Sequence, residues 1–290
     1  MTNKAKILAE ALPYIKRFYG KYIVVKYSGS LVGESLTGFA RDIALMKFVG
    51  MHPVVVHGGG KQIAAQLKSE GMQSRFIAGL RVTDKEMIKV VAKVLAGRVN
   101  KSVVAAIRKQ GAKSVGIAGS DTSLLKVVKA DIRQIAELNG VEVPPGADIG
   151  MVGDIKKVNS KLLRLYSQDG YVPVVAPIGR DSKGDTYNIN ADHAAGKLAS
   201  ALKAEKLIML TNVTGILDGK KKLLSSVTFK QADRMIKNGT IEGGMRPKAK
   251  CCVEAVTEGV KKAHIIDGRT VHALILEIFT DAGIGTEIRK

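Results

Sequence analysis

The stretch Pro53-Val54-Val55-Val56-His57-Gly58-Gly59-Gly60-Lys61-Gln62-Ile63 reads as a short buried strand that runs into three glycines and then a helix. An unbroken apolar run ahead of a turn fits a strand covered on both faces, as in a parallel sheet. Glycines at such a junction leave backbone N–H groups bare at the mouth of a helix, where an anion can approach. The same texture occurs earlier, where Tyr22-Ile23-Val24-Val25-Lys26 is followed by Tyr27-Ser28-Gly29-Ser30. Two such junctions at successive strand ends face one crevice, because ligands of open parallel sheets lie outside the carboxyl ends of the strands.

Working outward, Tyr171–Ala176, Leu207–Thr211 and Ala263–Ile266 repeat the strand pattern. Asp84–Arg108, Asn190–Lys203 and Met245–Val260 instead carry apolar residues at helical spacing. The alternation predicts an α/β fold, an open, mainly parallel sheet sandwiched by helices. Alternating residues in Leu124–Val128 and Ile149–Val158 predict β-hairpins attached to the sheet near the substrate. The run Gly179-Arg180-Asp181-Ser182-Lys183-Gly184 reads as a surface turn and sets a boundary between residues 21–180 and 181–290. Ahead of both, Lys4 to Tyr19 forms an amphipathic helix with Leu8, Leu12, Ile15 and Tyr19 on one face, and Pro13 is expected to bend it. Its stripe either covers its own domain or docks on another subunit.

With 290 residues, 46% hydrophobic and 25% charged, the chain can bury a core and is too balanced to be disordered. The balance of 46 basic against 26 acidic residues gives +20, which raises nucleic acid as a partner. The basic residues are scattered, however, and aromatics are 4% with no Trp, so no stacking platform exists. A solvated Lys-rich surface is the better reading. Adjacent Cys251 and Cys252 suit neither a disulfide framework nor zinc, which implies a reducing cytoplasm. No apolar run approaches the roughly 18 residues of a membrane span, and the N-terminus is too polar for a signal peptide.

Standard nucleotide fingerprints fail: GxxxxGK[ST] is absent, and His57–Ile63 lacks the third glycine of GxGxxG. In Asn188-Ile189-Asn190-Ala191-Asp192, Asn190 can cap the following helix and Asp192 falls in its first turn. Gly243-Gly244-Met245-Arg246-Pro247-Lys248 is a loop entering a helix that delivers Lys248 as a cation. Each of these alone has a structural explanation. His57, one of five histidines without metal spacing, reads as a structural hydrogen-bonding residue at its turn.

Taken in order with Gly79-Leu80-Arg81-Val82-Thr83-Asp84, Leu210–Leu217 and His264–Thr286, these segments resemble the amino-acid kinase family over nearly the whole chain. The resemblance is to its branch that acts on N-acetyl-L-glutamate and is sensitive to arginine. It implies transfer of the γ-phosphoryl group of ATP to the side-chain carboxylate of N-acetyl-L-glutamate, in arginine biosynthesis. Lys26 and Lys248 would neutralise charge on the transferring phosphoryl, Asp192 would hold both lysines, and Gly29 and Gly59 would donate N–H groups. Arg81 and Asn188 would grip the α-carboxylate, with Gly58 and Asn190 beside them. Thr211, Asn212 and Gly215 would join Lys26, Gly29 and Lys248 around the nucleotide.

Mg²⁺ would bridge the ATP phosphates and be held by them and by water, with no metal cluster supplied by the protein. The N-terminal helix would link dimers into a hexamer. L-arginine would inhibit from a site of Tyr19, His264, Glu277 and Gly283. The chemistry fits, because a carboxylate is already nucleophilic at neutral pH and needs cations on the charge in flight, not a general base.

Ser28 stands where the family has Gly, Asn212 where Asp is common, and Gly119-Ser120-Asp121-Thr122-Ser123 differs from the usual Gly-Lys-Asp-Gly-Asn. Two rivals remain in view. A kinase for glutamate or aminoadipate on an acidic carrier protein would suit the +20 charge, although Arg81 favours a free α-carboxylate. A non-catalytic arginine or nucleotide sensor would have no need of Lys26, Asp192 and Lys248 together.

Overall fold

The computed structural model describes residues 3–27, 33–281 and 283–290. Ser28 and Gly29 of the first glycine turn lie outside the described residues. In chain order the strands are β1 (Tyr22–Tyr27), β2 (His52–His57), β3 (Phe76–Ile77), β4 (Leu80–Arg81), β5 (Ser114–Ala118), β6 (Leu125–Lys129) and β7 (Gly153–Val158). There follow β8 (Val172–Ala176), β9 (Ile178–Arg180), β10 (Thr186–Asn188), β11 (Lys206–Thr211), β12 (Ser226–Thr228), β13 (Lys262–Asp267) and β14 (Thr286–Arg289). The helices are α1 (Asn3–Phe18), α2 (Glu34–Phe48), α3 (Gly60–Ser69), α4 (Lys85–Ala92), α5 (Asn100–Lys109) and α6 (Ile132–Asn139). The remainder are α7 (Ser160–Gln168), α8 (Ala191–Leu202), α9 (Phe229–Lys237), α10 (Met245–Thr257) and α11 (Ala273–Phe279).

The main sheet runs β12-β14-β13-β11-β1-β2-β8-β5. Its six strands from β13 to β5 are parallel to one another, and β14 closes against β13 antiparallel. The chain leaves β1 toward β2 on one side and reaches β11 on the other, so the strand order reverses at β1. A crevice opens at the carboxyl end of such a switch point.

Period-2 alternation sorts β1 between two cores. Ile23, Val25 and Tyr27 pack with α2, α5 and α11, whereas Val24 faces α8 and α10. Lys26 shares the Val24 face. A second sheet, β10-β9-β6-β7, stands beside the first, with β6 and β7 antiparallel as their alternation predicts. The turn at 181–185 joins β9 to β10.

Two expected helices differ in detail. The stretch read as one helix over Asp84–Arg108 is α4, a π-helical turn over Lys93–Val99, and α5. The N-terminal helix runs through Pro13, although proline there leaves the Ala9 carbonyl without its helical partner. Its last residue, Phe18, is buried, and α1 packs on α11. No helix among the described residues is long and apolar enough to cross a membrane.

Candidate active site

Three charged side chains meet at the carboxyl end of β1. Lys26 leaves β1 toward α8, in whose first turn Asp192 sits, and Lys248 descends from the first turn of α10. Lys248 Nζ donates to Asp192 Oδ2 at 2.7 Å, and Lys26 Nζ pairs with Oδ1 at 2.9 Å. Burial alone would raise the Asp192 pKa, but the two ammonium groups outweigh it and hold the carboxyl at about 2. The cluster therefore keeps a net charge of +1 in a site of low dielectric, where attraction for an anion is strong.

Local sequence sets this meeting. Asn190 Oδ1 accepts from the N–H groups of Asp192 and His193 at 2.8 and 3.2 Å, so α8 begins where Asp192 must stand. One turn on, Gly196 lies 3.5 Å from the Cys251 carbonyl, measured from where a Cβ would be, and Cys251 is one turn past Lys248. At this point α8 and α10 pack closely, with room at position 196 for no more than a small side chain. Pro247 occupies the first turn of α10, where its missing N–H costs no helical bond.

On the other side of the crevice, Gly58 N–H donates to the Tyr27 carbonyl at 2.9 Å, lashing the end of β2 to the end of β1. Arg81, on the β3–β4 hairpin, is 7% exposed and stacks on Phe76, its guanidinium carbon 4.7 Å from the ring centre. Its Nη2 donates to the Gly60 carbonyl at 3.1 Å, while Nη1 is buried without a partner. A buried cationic nitrogen without an acceptor is costly unless a ligand supplies one. Asn188 reaches Thr83 Oγ1 at 3.5 Å, and Thr83 Oγ1 donates to the Arg81 carbonyl, so Asn188 and Arg81 belong to one wall.

The expected nucleotide residues are less uniform. Thr211 closes β11, but its hydroxyl donates to the carbonyls of Val213 and Ile266, fastening the loop from within. Asn212 is exposed. Gly215 has φ +152° and sits where a Cβ would press on Thr286 Oγ1 at 2.6 Å.

Away from the crevice, a cleft of about 410 Å³ between α1 and α11 contains His264, Glu277 and Gly283. His264 Nδ1 lies 2.5 Å from Glu277 Oε1, and the Ile284 N–H donates to Oε2 at 2.9 Å. Tyr19 is 69% exposed and packs over Gly50, outside the lining of this cleft. Arg17, Lys206 and Lys262 line it together with Glu277, Asp281 and Glu287, so it offers both signs of charge.

Sequence reasoning missed Asn100, which donates to His57, and the pair of His193 with Asp154 of β7 at 3.1 Å, which ties the start of α8 to the second sheet. Neither has a local signal, since the partners stand 43 and 39 residues apart.

A model of the amino acid kinase family matches residues 21–267. An acetylglutamate kinase from Syntrophus aciditrophicus (strain SB) is 50% identical over 290 residues, covering 99% of this chain and 97% of its own length. One from Stutzerimonas stutzeri (strain A1501) is 51% identical, with 99% and 96% covered. Among solved structures, N-acetylglutamate synthase from Neisseria gonorrhoeae, complexed with coenzyme A and N-acetyl-glutamate, matches 99% of this chain with a TM-score of 0.83 at 27% identity, and the chain spans 63% of that longer one. Carbamate kinase from Giardia lamblia bound to AMP-PNP shares the fold, with a TM-score of 0.63 at 17% identity over 93% of this chain and 99% of its own.

Proposed function

The chain belongs to the amino acid kinase family, and on that premise we propose that it phosphorylates the side-chain carboxylate of N-acetyl-L-glutamate with ATP, a step of arginine biosynthesis. The observation that carries the reading is the cluster of Lys26, Asp192 and Lys248 at the switch point of the sheet. A carboxylate oxygen of the acceptor attacks the γ-phosphorus in line, the bond to the β,γ-bridging oxygen breaks, and ADP leaves. Lys26 and Lys248 offset charge on the phosphoryl in flight, and Asp192 fixes both ammonium groups beforehand so that no reorganisation is needed during transfer. The Gly29 and Gly59 N–H groups add donors.

The partnerless Arg81 Nη1 fits the α-carboxylate of the acceptor, with Asn188, Asn190 and Gly58 around it. Most of the acceptor wall then comes from residues 21–180, with Asn188 and Asn190 reaching it from residues 181–290, the half in which Thr211, Asn212 and Gly215 border the nucleotide. Both oxygens of Asp192 are engaged by lysines, so a Mg²⁺ ion arriving with ATP would take no ligand from this carboxylate and would supply electrostatic shielding of the nucleotide.

The cleft beside α1 is the site at which L-arginine inhibits. His264 Nε2 is buried there without a partner, and the mixed charges suit an amphoteric ligand. The helix α1 joins dimers into a hexamer, and the enzyme works in the cytoplasm. Release of ADP, measured in parallel with N-acetyl-L-glutamate, L-glutamate and L-aspartate, tests the assignment. Turnover confined to the acetylated acceptor supports it, and equal rates for all three contradict it.

A further inference from the structure

His57 ends β2 with its ring fully buried and both ring nitrogens engaged. Nδ1 lies 3.0 Å from the Gly58 carbonyl oxygen, and Nε2 lies 3.1 Å from Asn100 Nδ2. The same amide nitrogen donates to the Val174 carbonyl of β8 at 2.9 Å. An amide nitrogen only donates, so Nε2 must accept, and the ring proton must sit on Nδ1 and be given to Gly58. Burial keeps the imidazole neutral, lowering its pKa to about 4.

The Gly58 carbonyl and the Gly59 N–H belong to one trans peptide, so fixing the first toward His57 turns the second away from it. Leu95 blocks the far side of the turn, its Cδ2 2.6 Å from where a Gly59 Cβ would be. Leu95 lies within the π-helical turn Lys93–Val99, and Asn100 follows it directly. Such a turn shifts the register of one helix against the next, which lets one element present both residues to the same glycines. Gly116 of β5 makes room for Asn100, because a Cβ there would collide with Oδ1.

We propose that Asn100 and His57 are positioning residues for phosphoryl transfer: Asn100 selects the Nδ1–H tautomer of His57, and His57 holds the Gly58–Gly59 peptide with its N–H toward the crevice. The inference rests on the reading of Gly59 as a donor to the transferring phosphoryl. A merely structural pair would support stability without setting turnover.

The test is ¹⁵N NMR of the full chain labelled at histidine, with His57 assigned by the signal lost in His57→Gln, alongside kinetics of Asn100→Asp. The wild type is expected to show the Nδ1–H tautomer. Asn100→Asp replaces the donor by an acceptor and is expected to move the proton to Nε2. Misplacement of one donor then lowers kcat by about 10²-fold with the KM for ATP within about threefold. An Nε2–H tautomer in the wild type overturns the proposal, as does a folded Asn100→Asp with reversed tautomer and wild-type kcat. If Asn100→Asp does not fold, Asn100→Ser decides by the same kcat criterion. The tautomer is read without substrate, so a wild type inactive on N-acetyl-L-glutamate would refute the assigned reaction while leaving the tautomer result legible.

Discussion

At the scale of single residues, roles separate by what each side chain faces. On the proposed role of Lys26 and Lys248 as cations acting on transition-state charge, steady-state kinetics should show kcat lower by about 10²-fold or more in each of Lys26→Ala and Lys248→Ala. A raised KM with normal kcat would assign the lysine to ground-state binding instead. Arg81→Ala should weaken N-acetyl-L-glutamate binding by about 1.5–3 kcal/mol per lost charge-assisted hydrogen bond, with ATP affinity unchanged in calorimetry. The Asp192 carboxyl is held at about 2, below its ordinary 3.8. The stability it contributes is therefore present above about pH 4 and is lost as pH falls from there toward 2. Urea unfolding should show Asp192→Asn less stable than wild type at neutral pH, with the gap closing through that window. Lys26, Asp192 and Lys248 were legible in sequence because each sits beside glycines or a cap at an element's end. Asn100 was not, because its meaning depends on β2 and β8 being neighbours.

At the scale of elements, the approach of α8 to α10 at Gly196 sets how firmly Lys248 meets Asp192. A methyl group there meets Cys251 at ordinary contact distance, 3.5 and 3.9 Å. Gly196→Ala should thus keep activity and gain up to about 1 kcal/mol of helix stability, as read by thermal unfolding. Gly196→Ile should push the helices apart and lower kcat with little change in the KM for N-acetyl-L-glutamate. Equal kinetics for the two variants would show that this packing does not govern the lysine. The long helices and central strands could be read from apolar spacing. The π-helical turn could not, because Val91, Leu95 and Val99 recur every fourth residue as an α-helical face would. Strands β12 and β14, of three and four residues, carry too little pattern to stand out from loop.

At the scale of the whole molecule, one sheet gathers the Lys26, Asp192 and Lys248 cluster at its carboxyl end while α1 and α11 border a second cleft away from it. If arginine inhibits from that cleft, it must bind two states of the assembly unequally. Activity should then fall with millimolar arginine, and Glu277→Gln should lose that response while keeping turnover. A chain beginning at Gly20 should scatter light as a smaller oligomer, and an unchanged size would separate α1 from assembly. The central claim is phosphorylation of a carboxylate, and hydroxylamine traps the product of that reaction directly as a hydroxamate. The protein with ATP, Mg²⁺ and N-acetyl-L-glutamate should yield hydroxamate in step with ADP, and should lose it in Lys248→Ala. ADP release without hydroxamate, or hydroxamate formed as readily from L-glutamate, would contradict the account.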